Sequence, residues 1–248
     1  MKKQFTAIVF GIIIGAAASS YYIHTTHDPA SLAYPPKGFE IYEKQGFLLQ
    51  YDSRNKIPLW TYEILTKDKL TRVAHREKCR FLPDDNVPLP HRSSLHDYKH
   101  SGFDRGHFIP AADCTYSKAS LKDSFLLSNV CPQEPSINRG IWSKLEKRVR
   151  ELVKTHGEVE VISGPVYRPI KQERQSYFKF RSVGSGNVAV PTHLFKYVYI
   201  PAEKIEFAYL VPNSQEDTKL EINDLFIEIS ELESLSGLIL NAKGRDRA

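Results

Sequence analysis

The chain is poor in the residues that build disulfide frameworks and metal clusters. It has three cysteines, Cys79, Cys114 and Cys131. Three cannot all pair within one chain; an exported protein could join two and leave one free, and the sequence does not say which. No Cys-x-x-Cys occurs, which argues against structural zinc. There is no internal repeat and no low-complexity stretch, so the chain is neither a repeat array nor a biased tail. The apolar run at residues 5–18 is about 14 residues long, short of the roughly 20 needed to span a bilayer. Charge of one sign is also scarce: the formal net charge of +5 includes Lys2 and Lys3, and without them 32 basic residues face 29 acidic ones, a net +3. That is modest for a protein that handles a polyanion, so any such binding must rely on local patches.

What is present fits one substantial domain. A chain of 248 residues with 41% apolar content and two tryptophans can bury a single core, and its length does not demand two. Residues 1–18, with Lys2-Lys3, the apolar run and an Ala16-x-Ala18 site before Ser19, read as a signal peptide. The alternative is an uncleaved anchor with Tyr21 and Tyr22 at an interface, and only then would the protein contact a membrane. The leader lacks Arg, which argues against a mitochondrial presequence, so the expectation is bacterial export to the periplasm or the medium. Residues 19–37, with Pro29, Pro35 and Pro36, read as a linker. Residues 38–242 are then expected to form the folded domain and 243–248 a tail.

Alternation and turn residues predict a hairpin from strands at 46–51 and 59–65, with further strands at 158–163, 188–190, 195–200 and 206–211. Short helices are expected at 117–123 and 229–236. Over 139–154, Ile141, Trp142, Leu145, Val149, Leu152 and Val153 recur at three- and four-residue steps, the period of a helix with one buried face. The fold class is α+β, a single domain with a mixed, largely antiparallel sheet.

The segment Ser101-Gly102-Phe103-Asp104-Arg105-Gly106-His107-Phe108-Ile109 is the most informative. Arg105 can hold a phosphate with a two-pronged fork. Gly106 would let a polyanionic backbone come close. His107 would titrate near neutrality and take a proton from water. A lone His beside an Arg is more often a structural pair, so the residues downstream decide. Asn138 stands at the start of the 139–154 helix, where it either caps that helix or binds a ligand. Glu146 either pairs with Arg150 one turn on or faces the same ligand. Eight residues of helix place them about 12 Å apart with an offset of about 80°. They share a side without both touching one ion. One Asn oxygen plus waters suits Mg²⁺, with Mn²⁺ as the substitute, and Glu146 would act through a metal-bound water. Residues 139–154 also hold six basic and two acidic side chains, and would flank substrate phosphates.

Taken in order, Arg76-Glu77-Lys78-Cys79-Arg80-Phe81-Leu82-Pro83-Asp84-Asp85, His91-Arg92, Asp97-Tyr98 and Asp104-Arg105-Gly106-His107 resemble the DNA/RNA non-specific endonucleases of the ββα-metal superfamily, and within it the endonuclease G branch. Ser163-Gly164-Pro165-Val166-Tyr167, Val188-Ala189-Val190-Pro191-Thr192-His193-Leu194-Phe195-Lys196, Ile229-Ser230-Glu231-Leu232-Glu233 and Ser236-Gly237-Leu238 continue the likeness, which covers roughly residues 38–242. The resemblance implies His107 as general base, Asn138 as the single protein ligand of a divalent metal and Glu146 as its water-mediated contact. It implies that Asn129 holds the histidine and substrate in place, that Arg105 and Arg76 contact phosphate, and that Asp104 anchors the loop. Arg72 and Arg80 lie close enough to Arg76 to compete for that role. It further implies 5′-phosphate and 3′-hydroxyl products from DNA and RNA, a homodimer as one assembly, and mitochondria as the alternative location. Of the other histidines, His91, His96 and His100 read as exposed and His193 as structural. Two rival readings remain: a nucleic-acid-binding module that keeps the fold without the chemistry, and a phosphodiesterase for small substrates.

Overall fold

The structure, a computed structural model, describes residues 40–215 and 220–240. The expected leader, linker and tail lie outside the described residues, as do residues 216–219. Among the described residues no helix is long and apolar enough to cross a membrane.

The chain begins as an antiparallel meander of β1 (Ile41–Lys44), β2 (Phe47–Asp52) and β3 (Ile57–Thr66). The turn before β3 is made by Asp52, whose Oδ1 accepts the N–H groups of Arg54 at 2.8 Å and Asn55 at 3.1 Å. Such an Asx turn is what the Asp-x-x-Asn pattern favours. β4 (Asp104–His107) and β5 (Val130–Gln133) form a separate antiparallel pair. There follow β6 (Glu158–Val166), the hairpin β7 (Ile170–Gln172) and β8 (Gln175–Tyr177), the short pair β9 (Ser182–Val183) and β10 (Val188–Ala189), then β11 (His193–Ile200), β12 (Ile205–Pro212) and β13 (Phe226–Ile227). The main sheet has seven strands in the order β1-β2-β3-β6-β11-β12-β13, with every neighbouring pair antiparallel. The strands expected from the sequence match β2, β3, β6, β10, β11 and β12, with 46–51 beginning one residue before β2 and 188–190 ending one residue beyond β10. The two short helices are Lys118–Ser124, capped by Ser117, and Ile229–Ser236, ended by Gly237 in the left-handed region.

The helix that matters for the site differs from its expected form. It starts earlier, at Pro135, runs through a wide turn at Asn138–Trp142 and continues as Ser143–His156. Gly140 breaks the regular spiral at φ −100°, ψ −107°. Asn138 is therefore inside helical backbone, at φ −56°, ψ −48°, and its side chain caps nothing. The apolar stripe was legible because it lies mostly beyond the irregular turn: Leu145, Val149, Leu152 and Val153 are buried, each contributing about 1.5–3 kcal/mol on full burial. Gly157, at φ +93°, ends the helix by donating its N–H to Val153.

Two contacts fix this helix to the end of β4. Trp142, fully buried, donates its Nε1–H to the His107 carbonyl at 3.1 Å, and its ring packs edge-on against Phe108. Below it a charged layer crosses the sheet. Lys196 of β11 is 1% exposed, donates to Ser163 Oγ at 2.7 Å and lies 4.7 Å from the centre of the Trp142 ring. Glu63 and Asp113 are buried nearby, and Arg150 pairs with Asp113 at 2.7 Å. Buried charges are tolerated only when paired, and here Arg150 ties the helix that carries Asn138 and Glu146 to Asp113 in the turn Ala111–Cys114.

Candidate active site

Strands β4 and β5 present His107 opposite Val130 and Gly106 opposite Cys131. The imidazole packs against Phe81 and Phe125, each ring centre 5.0 Å away. Those rings also carry the two arginines singled out from the sequence: Arg105 stacks over Phe81 at 4.8 Å and Arg76 over Phe125 at 5.8 Å. Neither guanidinium has a hydrogen bond or ion pair among the described residues, so their donors remain available. Arg76, Arg105, His107, Asn138 and Glu146 line one cavity of about 360 Å³. Arg72 and Arg80, the competitors of Arg76, do not. A larger cavity of about 720 Å³ lies elsewhere, floored by Phe207, Leu225 and Phe226, and contains none of these groups.

His107 does not sit in the environment its type suggested. Burial, then the charges of Arg76 and Arg105, push its pKa from 6.5 down to about 3. The ring is thus neutral at physiological pH and holds a free lone pair. Its Nε2 is buried without a hydrogen-bond partner among the described residues. Nδ1 is the nitrogen left to meet water, and when it accepts a proton Nε2 already carries one. The titrating group near neutrality is instead Glu146, which is half-buried and is raised by burial to about 7, with Asp113 adding to the rise against Lys196, Arg150 and Arg76.

Asp104 accepts the Asn138 Nδ2–H on Oδ2 at 2.9 Å, which fixes the amide and leaves Asn138 Oδ1 without a bond among the described residues. The same carboxylate is gripped by Arg139. Burial raises its pKa, but the bonds from Arg139 and Asn138 outweigh that and hold it below the usual Asp range. The unbonded Asn138 oxygen and the Glu146 carboxylate, which takes no donor among the described residues, form an all-oxygen donor set suited to a hard dication that keeps most of its waters.

Several expectations change. Gly106 is required for a different reason from close substrate approach: it is buried, and a Cβ there would come within 2.0 Å of the buried Gln133 side chain. Asn129 is fully buried, with Oδ1 accepting from Ile109 N–H at 3.0 Å and Nδ2 donating to Ile109 O and Ser124 O at 2.9 Å. It clamps the backbone just after His107 and lies outside the cavity, so contact with substrate is not its part. Glu146 does not pair with Arg150, which is bound to Asp113. Of the six basic residues at 139–154, Arg139 alone lines the cavity. No cysteine is paired: Cys79, Cys114 and Cys131 are all free. His91, His96 and His100 are exposed, as expected. Phe125, the Asp104–Arg139 grip and the role of Arg150 escaped sequence reasoning. Phe125 carries no local signal, because only the fold brings it beside a histidine 18 positions earlier.

The family model described as DNA/RNA non-specific endonuclease matches residues 32–247. The chain belongs to that family. It is 36% identical over 204 residues to "Endonuclease G, mitochondrial" of Homo sapiens, covering 81% of this chain and 69% of that one. It is 35% identical over 210 residues to "Nuclease C1" of Cunninghamella echinulata var. echinulata, covering 82% and 83%. Among solved structures, a chain of the EndoG/EndoGI complex superposes with a TM-score of 0.78 at 32% identity, covering 83% of this chain and 86% of that one. The protein is thus a nuclease, a hydrolase acting on nucleic acid, and its α+β fold with a large antiparallel sheet is the fold of that neighbour.

Proposed function

We propose that this nuclease cleaves phosphodiester bonds inside DNA and RNA without sequence preference, with His107 as the general base, and leaves 5′-phosphate and 3′-hydroxyl ends. The observation that carries the reading is the convergence of His107, Asn138, Glu146 and two unpaired arginines on one cavity. Asn138 Oδ1 would hold Mg²⁺, or Mn²⁺ in its place, with Glu146 joined to it through water; the ion supplies charge neutralisation at the leaving oxygen. Arg76 and Arg105 seat the phosphate with charge-assisted hydrogen bonds. His107 Nδ1 takes a proton from the attacking water. Its low pKa is suited to the free protein and rises on substrate binding, since a phosphate neutralises the arginines that help hold it down. The rival binding-module reading has no use for a neutral buried base aimed at a cavity, and a small-substrate enzyme has no use for arginines arrayed on stacked rings. Digestion of plasmid and of RNA with Mg²⁺, with Mn²⁺ and with chelator tests the reading, and activity that persists in chelator overturns its metal-dependent part.

Two further outcomes are expected. Glu146→Gln keeps the shape and removes the charge, so cleavage should fall about 10- to 100-fold, the usual cost of a group acting through a metal-bound water; a loss as complete as removing Asn138 would mean direct ligation. Salt provides the other check. Because Arg76 and Arg105 meet phosphates and not bases, affinity measured by fluorescence anisotropy should fall steeply with salt and alike for unrelated sequences. A preference for one sequence that survives added salt would contradict this.

For assembly, the exposed hairpin β7–β8 supports the homodimer reading, since Ile170, Tyr177, Phe178 and Phe180 lie open at 45–67% exposure. For location, the mitochondrial name of the human relative supports the organelle alternative over export.

A further inference from the structure

Arg139 belongs, in the sequence, to a run of basic residues, and in the structure it stands apart from them. Its Nη2 donates to Asp104 Oδ1 at 2.6 Å and its Nε to Oδ2 at 2.8 Å. Asn138 Nδ2 donates to the same Oδ2 at 2.9 Å. The Arg139 side chain is 72% exposed and that of Asp104 19%. An exposed ion pair of this kind contributes little to stability, about 0–1 kcal/mol, so stability is a weak reason for the arrangement. Its place is a better one: all three residues line the cavity with His107 and Glu146.

Consider Asp104 without its partner. A carboxylate would then stand uncovered beside the Asn138 amide, and a hard dication prefers a carboxylate to an amide. The ion would gain a charged ligand, lose a water and have part of its charge neutralised, which makes it a better-held but poorer Lewis acid. With Arg139 in place, Oδ2 takes two N–H donors, Oδ1 takes a third, and a positive charge covers the carboxylate.

Resting on the metal assignment above, we propose that Arg139 is a positioning residue that keeps Asp104 out of the ion's coordination shell, so that Asn138 remains the single protein ligand. The signature is opposite movement of two quantities: removing Arg139 tightens metal binding while it slows cleavage. A residue that merely supported the fold would weaken both, and one that only contacted phosphate would leave metal binding untouched.

The test titrates the full chain, without nucleic acid, with Mn²⁺ and reads free Mn²⁺ by electron paramagnetic resonance, alongside plasmid cleavage. Arg139→Gln should bind Mn²⁺ about 10-fold more tightly and cleave at least about 10-fold more slowly. Adding Asp104→Asn to it removes the intruding carboxylate, and Mn²⁺ affinity should return to the wild-type level. Unchanged or weaker Mn²⁺ binding in Arg139→Gln overturns the inference, as does failure of the double variant to revert. Arg139→Lys keeps the charge and loses the fork, so it should fall between wild type and Arg139→Gln; it serves if the glutamine variant melts early. Asn138→Ala separates this inference from its premise. If that variant binds Mn²⁺ like the wild type, the metal assignment itself is wrong and the role of Arg139 falls with it; if it loses binding while Arg139→Gln shows no gain, only the role of Arg139 is wrong.

Discussion

Asn138→Ala is expected to lose metal-dependent cleavage of plasmid and RNA by well over about 100-fold, more than the usual cost of disturbing a group behind a metal ligand. The substitution removes the single oxygen proposed to touch the ion directly. Raising Mg²⁺ should not restore the rate, because Glu146 is proposed to reach the ion only through water. The fold should persist. Asn138 is half-buried and makes one side-chain hydrogen bond, to Asp104, so the loss should be about 0.5–1.5 kcal/mol, or a few degrees in Tm for a domain of this size. Thermal melting by circular dichroism and a Mg²⁺ titration of cleavage read the two effects separately. A variant that cleaves at near-wild-type rate at ordinary Mg²⁺ would remove Asn138 from the metal site.

The expected contrast with Glu146→Gln rests on an irregular helix that periodicity could not reveal. The apolar stripe from Leu145 onward follows from regular spacing, and that part of the helix was legible. The wide turn at Asn138–Trp142 does not, because Gly140 departs from helical angles in a way no hydrophobic period encodes. An ideal spiral drawn back through it made Asn138 a cap candidate, whereas the true start lies at Pro135. The sheet was readable for simple reasons: alternation in β2 and β3 reports one buried face, and the apolar runs of β11 and β12 report strands buried on both faces. The site was readable in its residues and not in their surroundings. Asp104-Arg105-Gly106-His107 names the actors, yet the reason for Gly106 is a buried glutamine 27 positions later, and the low pKa of His107 arises from Phe81, Phe125 and two arginines gathered by the fold. Asn129 shows the same limit. Its identity could be picked out, but only the structure shows both ends of its amide committed to the backbone of Ile109 and Ser124.

His107→Ala should lower cleavage by about 10²–10⁴-fold, the usual contribution of a general base, and should keep its metal, since the Asn138–Asp104 contact is untouched. The space it leaves is walled by Phe81 and Phe125 and shaped for a five-membered ring. Free imidazole at pH 8, where it is neutral, should therefore restore part of the rate in the variant and do nothing for the wild type. The pH profile then assigns the titrating groups. With His107 held near 3 and Glu146 near 7, the rate should rise with pH through neutrality as Glu146 loses its proton, and that step should move to lower pH as Mg²⁺ is raised, because a dication favours the carboxylate. The step should persist in His107→Ala and vanish in Glu146→Gln. The reverse pattern, with the step lost in His107→Ala and kept in Glu146→Gln, would mean that the imidazole titrates near neutrality after all, and that its burial between the two phenylalanines does not survive in the working enzyme.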